Sequence, residues 1–277
     1  MAVGITLALI FQGYNIPELT FENFANFHDN SEKFPIFPML FVTVACGAVS
    51  GFHSTQSPLM ARCITNEKQG RKVFYGAMIA EGIVALIWAA AGMAFFGGVK
   101  ELNAIMVEHN GNAAWIVNEI SNTLLGKFGA ILAILGIVAA PITSGDTAFR
   151  SARLIIADFL NIKQSKIKMR IMVSLPLFVV GFLLTQFDFA IIWRYMAWSN
   201  QTLAAIVLWA ITVYLALNKK LYIISLIPAI FMTAVCIAYI LVAPEGLKLE
   251  MNLSVIISLC VTLLVSILFF FKIKNKV

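Results

Sequence analysis

The amino-acid sequence predicts an all-α polytopic membrane protein with about seven transmembrane helices, one of them discontinuous. Three observations carry that prediction. Hydrophobic residues make up 60% of the chain and charged residues only 12%, against about 25% charged in soluble domains. Mean hydropathy is +0.88 over 277 residues. Apolar runs of about 20 residues, enough to cross a hydrocarbon core of about 30 Å as helix, recur along the chain with connections of alternating charge.

Taken in order, the opening run Ala2 to Phe11 is too short to span and lacks the basic leader of a signal peptide. Residues 1–14 are expected to be the remnant of a truncated helix, which makes the chain incomplete at its N-terminus. Spans are expected at 35–60, 73–98, 124–148, 171–187, 189–217, 221–243 and 253–271. Between the third and fourth, FRSARLIIADFLNIKQSKIKMR (149–170) reads as a cytoplasmic amphipathic connector. Its pattern fits a helix on the inner membrane surface and a solvated link equally. Residues 1–277 are expected to form a single transmembrane domain.

Charge in the connections sets the orientation, because cytoplasmic loops collect Lys and Arg. The segments Arg62 to Lys72, Arg150 to Arg170, Lys219 with Lys220, and the tail FKIKNKV hold fifteen of the twenty basic residues. The connections NIPELTFENFANFHDNSEK, VKELNAIMVEHNGNAAWIVNE and APEGLKLEMN are net acidic and are expected to face outward. This alternation places the C-terminus in the cytoplasm. The net charge of +6 follows from the inner loops, and no aromatic-basic platform points to nucleic acid.

Chemistry is hard to assemble from these residues. Cys46, Cys63, Cys236 and Cys260 are dispersed without metal-ligand spacing and read as packing residues. Phosphate-loop, nucleophile-elbow and zinc-helix motifs are lacking in the sequence. The expectation is no enzyme, no cofactor and no metal.

Polarity inside the spans is the remaining signal. The first span is interrupted by GAVSGFHSTQSP, Gly47 to Pro58. Counted from Pro35, Gly47 to Gly51 lie about 18 to 24 Å deep, near the midplane. Glycines accept unusual backbone angles and Pro58 lacks an amide donor, so the stretch predicts a broken helix with unpaired backbone groups. Such groups persist at that depth only where protein or a water-filled cavity satisfies them. Broken helices of this kind hold substrates in secondary transporters. Ser50, Gly51, His53, Ser54, Thr55, Gln56 and Ser57 are therefore the candidate substrate-binding residues. Helix packing through small residues, with the hydroxyls bonded to backbone, is the alternative.

Glu81 sits about 12 Å beyond Val73 among apolar side chains. Burial favours the neutral form of a carboxyl, one of the two states a proton carrier alternates between. Glu81, and after it His53, are the candidates for proton coupling. A protonated packing residue is the alternative at Glu81. In AAPITSGDTAFRSAR, Pro141 and Gly145 are expected to loosen the inner half of the third span. Thr143, Ser144, Asp146, Thr147 and Arg150 then read as a cytoplasmic gate or ion site, or equally as an inner-interface ion pair. Asn200 and Gln201 lie deep in the fifth span, so at least one is expected to face protein or a cavity. The last two spans read as scaffold, and His28 and His109 as solvated loop residues.

CGAVSGFHSTQSPLMARCITNEKQGRKVFYGAMIAEG followed by APITSGDTAFRSARLIIADFL resembles the carbon starvation protein A family of bacterial membrane transporters. The resemblance implies a secondary transporter of the inner (cytoplasmic) membrane, related to the amino acid, polyamine and organocation superfamily, with an inverted-repeat core. It implies proton-driven uptake of pyruvate or peptides under carbon starvation, with Ser50 to Ser57 in one of two broken helices at the substrate site. It also implies further helices upstream, including a Gly-rich segment, as partners that this chain lacks. The expected partners are thus a small-molecule substrate, protons, the lipid bilayer and those N-terminal helices. A nutrient sensor or receptor subunit and a helical scaffold subunit are the other two readings.

Overall fold

The computed structural model of the protein describes residues 2–16, 21, 25–26, 31, 34–44, 47, 49–109, 111–187 and 189–274. His28, Cys46, Ala48, most of the acidic stretch 15–33, residues 275–277 and the side chain of Pro141 lie outside the described residues. Among the described residues the regular structure is helix: α1 Ala2–Phe11, a π-helical turn Ile36–Leu40 running into α2 Phe41–Thr43, α3 His53–Cys63, α4 Ala77–Phe96, α5 Val99–Glu108, α6 Ala113–Phe159, α7 Ile167–Leu184, α8 Phe189–Leu217, α9 Ile223–Val242 and α10 Met251–Lys274.

Among the described residues, six stretches are long and apolar enough to cross a membrane: Glu67–Phe96, Ala113–Phe159, Ile167–Leu184, Ile191–Leu217, Ile223–Val242 and Met251–Ile273. The chain is a multi-pass membrane protein with six such stretches, where the sequence predicts seven. The span expected at 35–60 is not among them, because helix stops at Thr43 and resumes only at His53. Val44, Gly47 and Val49 to Phe52 lie outside any helix. The discontinuity is where the glycines predict it, but Pro58 is not part of its cause. Pro58 sits inside α3, on an exposed face.

The chain divides into two compact units, Met1–Lys33 with Ile64–Phe182, and Phe34–Cys63 with Leu183–Val277. In the first, Ile5 and Leu9 of α1 are buried against Ala91 and Ala94 of α4 and Ile116, Ile120 and Leu124 of α6. Small residues on α4 let these helices close up, and burying the branched side chains of α1 fixes it there. Gly126 breaks α6 internally, at φ 61° and ψ −156°, a conformation that favours glycine. From Gly126 to Phe159 the helix is about 51 Å long at 1.5 Å per residue, longer than a hydrocarbon core of about 30 Å. The sequence expectation of a helix loosened at Pro141 and Gly145 and ending near 148 is corrected accordingly. α6 is continuous through 139–159, and only 160–166 remain as a connection before α7.

The second unit is built around α9, whose Met232, Val235, Cys236 and Tyr239 pack with Met39 and Val42 and with Ala197 and Ala205 of α8. Indole donors tie α8 to α9: Trp198 Nε1 donates to the Cys236 carbonyl and Trp209 Nε1 to Thr233 Oγ1, both at 2.9 Å. On α10, Ser254, Ser258, Thr262 and Ser266 are all buried at a spacing of four. Their hydroxyls donate to their own helix backbone, so small side chains pack closely with no orphaned polar atom. Among the described cysteines, Cys63 and Cys260 are exposed and Cys236 is buried in a packing position.

Candidate functional site

Both arms of the broken helix in the second unit are held by two consecutive side chains of α8. Where the first arm ends, Gln201 Nε2 donates to the Phe41 carbonyl at 2.9 Å. Where the second arm begins, the Phe52 amide donates to Asn200 Oδ1 at 2.7 Å. Ser50 Oγ lies 3.4 Å from both the amide oxygen and the amide nitrogen of Asn200. A helix interrupted in an apolar environment leaves carbonyls behind it and amides ahead of it unpaired. Asn200 and Gln201 take one of each.

Gly51 makes this approach possible. A Cβ there would stand 2.2 Å from the Asn200 carbonyl oxygen and 2.5 Å from the Ala204 amide. Only glycine lets the two backbones come this close. Gln201 is 1% exposed, and its Oε1 accepts no hydrogen bond among the described residues. A buried acceptor of this kind costs about 1–3 kcal/mol unless a donor reaches it.

The other predicted residues gather at the start of α3. Ser54 Oγ donates to the Gly51 carbonyl at 2.7 Å and Thr55 Oγ1 to the Phe52 carbonyl at 2.8 Å. These hydroxyls therefore serve the turn itself. The His53 ring nitrogen Nδ1 lies 3.4 Å from the Ser50 carbonyl, and the ring is half-buried. Gln56 and Ser57 are half-buried on the next turn. Ser50, Gly51, His53, Ser54 and Thr55 are thus brought together, with Asn200 and Gln201 as the elements that position them.

A second polar cluster in this unit joins Arg194 and Tyr195, part of the polar-aromatic patch of the fifth span, to two residues that the sequence does not single out, Glu245 and Tyr239. Glu245 follows α9, and its side chain is 3% exposed. Arg194 Nε of α8 approaches Glu245 Oε2 at 3.1 Å, as an ion pair without hydrogen-bonding angles. Tyr239 Oη donates to Glu245 Oε1 at 2.6 Å, and Tyr195 Oη donates to the Glu245 carbonyl. Sidedness alone holds a signal for this pairing. Arg194 within an apolar span needs an acid, and APEGL is the acidic loop that the charge pattern expects at the same end of the span.

In the first unit, Glu81 lies on the exposed face of α4, ten residues beyond Arg71, where a π-helical segment Arg71–Gly76 leads into that helix. Asp146 and Arg150 form an i,i+4 pair at 2.8 Å on α6, with side chains 66% and 55% exposed. Thr143 Oγ1 donates to the Ala139 carbonyl and Thr147 Oγ1 to the Thr143 carbonyl, so both hydroxyls are engaged by their own helix. Ser144 is exposed beside them. His109, expected in solvent, caps α5 and stacks on Trp115 with ring centroids 3.6 Å apart. Among the described residues no three His, Cys, Asp or Glu side chains gather as a metal site.

A family model described as Carbon starvation protein CstA matches residues 1–125. That stretch contains the broken helix and Glu81 and ends one residue before the break at Gly126. The chain is 44% identical over 123 residues to an uncharacterized protein of Haemophilus influenzae, covering 44% of this chain and 89% of that one. It is 37% identical over 89 residues to the pyruvate/proton symporter BtsT of Escherichia coli, covering 31% of this chain and 12% of the symporter. It is 45% identical over 53 residues to the peptide transporter CstA of Helicobacter pylori, covering 19% of this chain and 8% of that transporter. The chain therefore spans only a small part of each named transporter. No solved structure matches it.

Proposed function

Because the chain belongs to the carbon starvation protein CstA family, we propose that it is part of a secondary active transporter that takes up small carboxylates such as pyruvate, or peptides, driven by protons. The similarity to a pyruvate/proton symporter and to peptide transporters supports both substrate classes. The observation that carries the reading is the helix break pinned by Asn200 and Gln201, with Gln201 Oε1 buried and open to a donor. In this proposal Ser50, His53, Gln56 and Ser57 contact substrate near the break, and Glu81 or His53 carries the proton. Asp146 with Arg150 forms a gate at the cytoplasmic side. The membrane is the bacterial inner membrane, the C-terminus is cytoplasmic, and further N-terminal helices complete an inverted-repeat core.

A second reading has one observation in its favour. The hydroxyls of Ser54 and Thr55 and the Phe52 amide are already bonded within the protein, as a scaffold subunit requires. Uptake of labelled pyruvate and dipeptides into proteoliposomes, driven by a pH gradient, separates the readings. Accumulation that is lost in His53→Ala or Glu81→Gln supports the carrier. Accumulation unchanged in both sinks the assigned roles. Stabilisation by ligand without accumulation points to a receptor subunit.

A further inference from the structure

A cavity of about 690 Å³ opens between α6 and α7 in the first unit. The two helices meet there through Phe149, whose ring tilts over Phe178 at 4.7 Å. Phe149 also lies so near Gly181 that a Cβ would stand 2.9 Å from its ring. The cavity contains three guanidiniums, of Arg150, Arg153 and Arg170, and one carboxylate, of Asp146. Asp146 is spent on Arg150 at 2.8 Å. Arg153 and Arg170 are then left without a carboxylate in the lining. Arg170 Nε is anchored on the Gln164 carbonyl at 2.7 Å, and Arg153 Nε is buried with no hydrogen bond.

Polarity is graded along this cavity. Arg153 and Arg170 flank the 160–166 connection, while Ile142 lies about 16 Å back along α6 and Phe178 about 12 Å along α7. The guanidiniums of Arg153 and Arg170 therefore sit at one end and Ile142 and Phe178 at the other, with Phe149 and the Asp146–Arg150 pair between them. A free anion would use only the arginine end. An amphiphile uses both.

We propose that this cavity is the headgroup site of an anionic phospholipid, independent of the transport reading. Arg153 and Arg170 take the phosphodiester through bidentate guanidinium bonds, which suit phosphate geometry. An acyl chain lies along Phe149, Ile142 and Phe178. The uncompensated double positive charge selects lipids with net negative charge, as basic pockets between membrane helices do.

Native mass spectrometry of the purified full chain tests this, with added phosphatidylglycerol, phosphatidylcholine of the same chains, or inorganic phosphate. Selective retention of phosphatidylglycerol is expected, weakened about thirtyfold in the Arg153→Ala/Arg170→Ala double variant. The Arg153→Lys/Arg170→Lys variant keeps the charge and is expected to retain lipid at an intermediate level. Equal retention of both lipids, or undiminished retention in the alanine variant, overturns the proposal. Phosphate competing at the same concentration as lipid overturns the lipid as its source. If the alanine variant does not fold, a photoactivatable phosphatidylglycerol on the unaltered chain decides. Crosslinks within 142–178 support the site, and crosslinks only elsewhere overturn it.

Discussion

Asn200 Oδ1 accepts the Phe52 amide at 2.7 Å across 148 positions of sequence. This one bond fixes where α3 begins and which side of the break faces α8.

Removing it is expected to be costly. Asn200→Ala leaves the Phe52 amide and the Ser50 hydroxyl without their partner in a half-buried setting, a loss of about 1–3 kcal/mol. Thermal unfolding in detergent measures it, and a variant as stable as the parent would show that the break is held elsewhere.

Two glycines should respond in opposite directions. Gly51→Ala places a methyl within 2.2 Å of a carbonyl oxygen that is backbone and cannot swing aside. Overpacking of this kind costs about 1–3 kcal/mol. Gly145, in the interior of α6, has nothing within 4 Å of a Cβ, so Gly145→Ala should be neutral or stabilising by about 0.5–1 kcal/mol. Folded yield and unfolding midpoint for the pair provide the check.

Arg194 and Tyr239 both act on the Glu245 carboxylate, so their effects should not add. Arg194→Met and Tyr239→Phe are each expected to cost about 1–3 kcal/mol, the former discounted because Arg194 is 38% exposed. A double-mutant cycle should give a coupling of about 0.5–3 kcal/mol. Strict additivity would mean that the two contacts are independent.

The Asp146–Arg150 pair is exposed, so Arg150→Ala should change stability by only about 0.3–0.5 kcal/mol. Loss of uptake at preserved stability would assign the pair to transport. Unchanged uptake would leave it as surface charge.

Cys63 reports orientation. It is exposed at the end of α3, before the basic stretch 68–72, whereas Cys236 is buried. With the other cysteines replaced, a membrane-impermeant maleimide should label Cys63 in inverted vesicles and not in intact cells. The opposite pattern would reverse the assigned topology.

The helical class, five of the spans in full and the place of the break were legible because composition and apolar run length act locally. The break was legible through Gly47 and Gly51, whose missing Cβ atoms are visible in sequence. Pro58 misled, since α3 runs on through it although the amide that would have bonded the Ser54 carbonyl is missing. The end of α6 was misplaced because Asp146, Arg150 and Arg153 look like the close of a span, although a helix that has left the hydrocarbon continues at no penalty in water. The break at Gly126 was missed because a single glycine in an apolar run looks like packing until its φ is known. Asn200 and Gln201 were visible as deep polar residues, but their partners, a backbone amide and a carbonyl, leave no signature in sequence. Glu245 was hidden for a related reason, because its loop reads as ordinary outer-side acid.

The clamp also sets an order of events during synthesis. The arms around Thr43 and His53 emerge 160 and 148 positions ahead of their partners on α8, an interval of about 7 to 32 s at ribosomal rates of about 5–20 residues per second. Throughout that wait the nascent break has neither cap, and its open amide and carbonyl stand in contact with lipid or with the insertion machinery. The second unit is therefore a structure that closes late, and slowing elongation between Cys63 and Asn200 should lengthen the period in which quality control can recognise the chain.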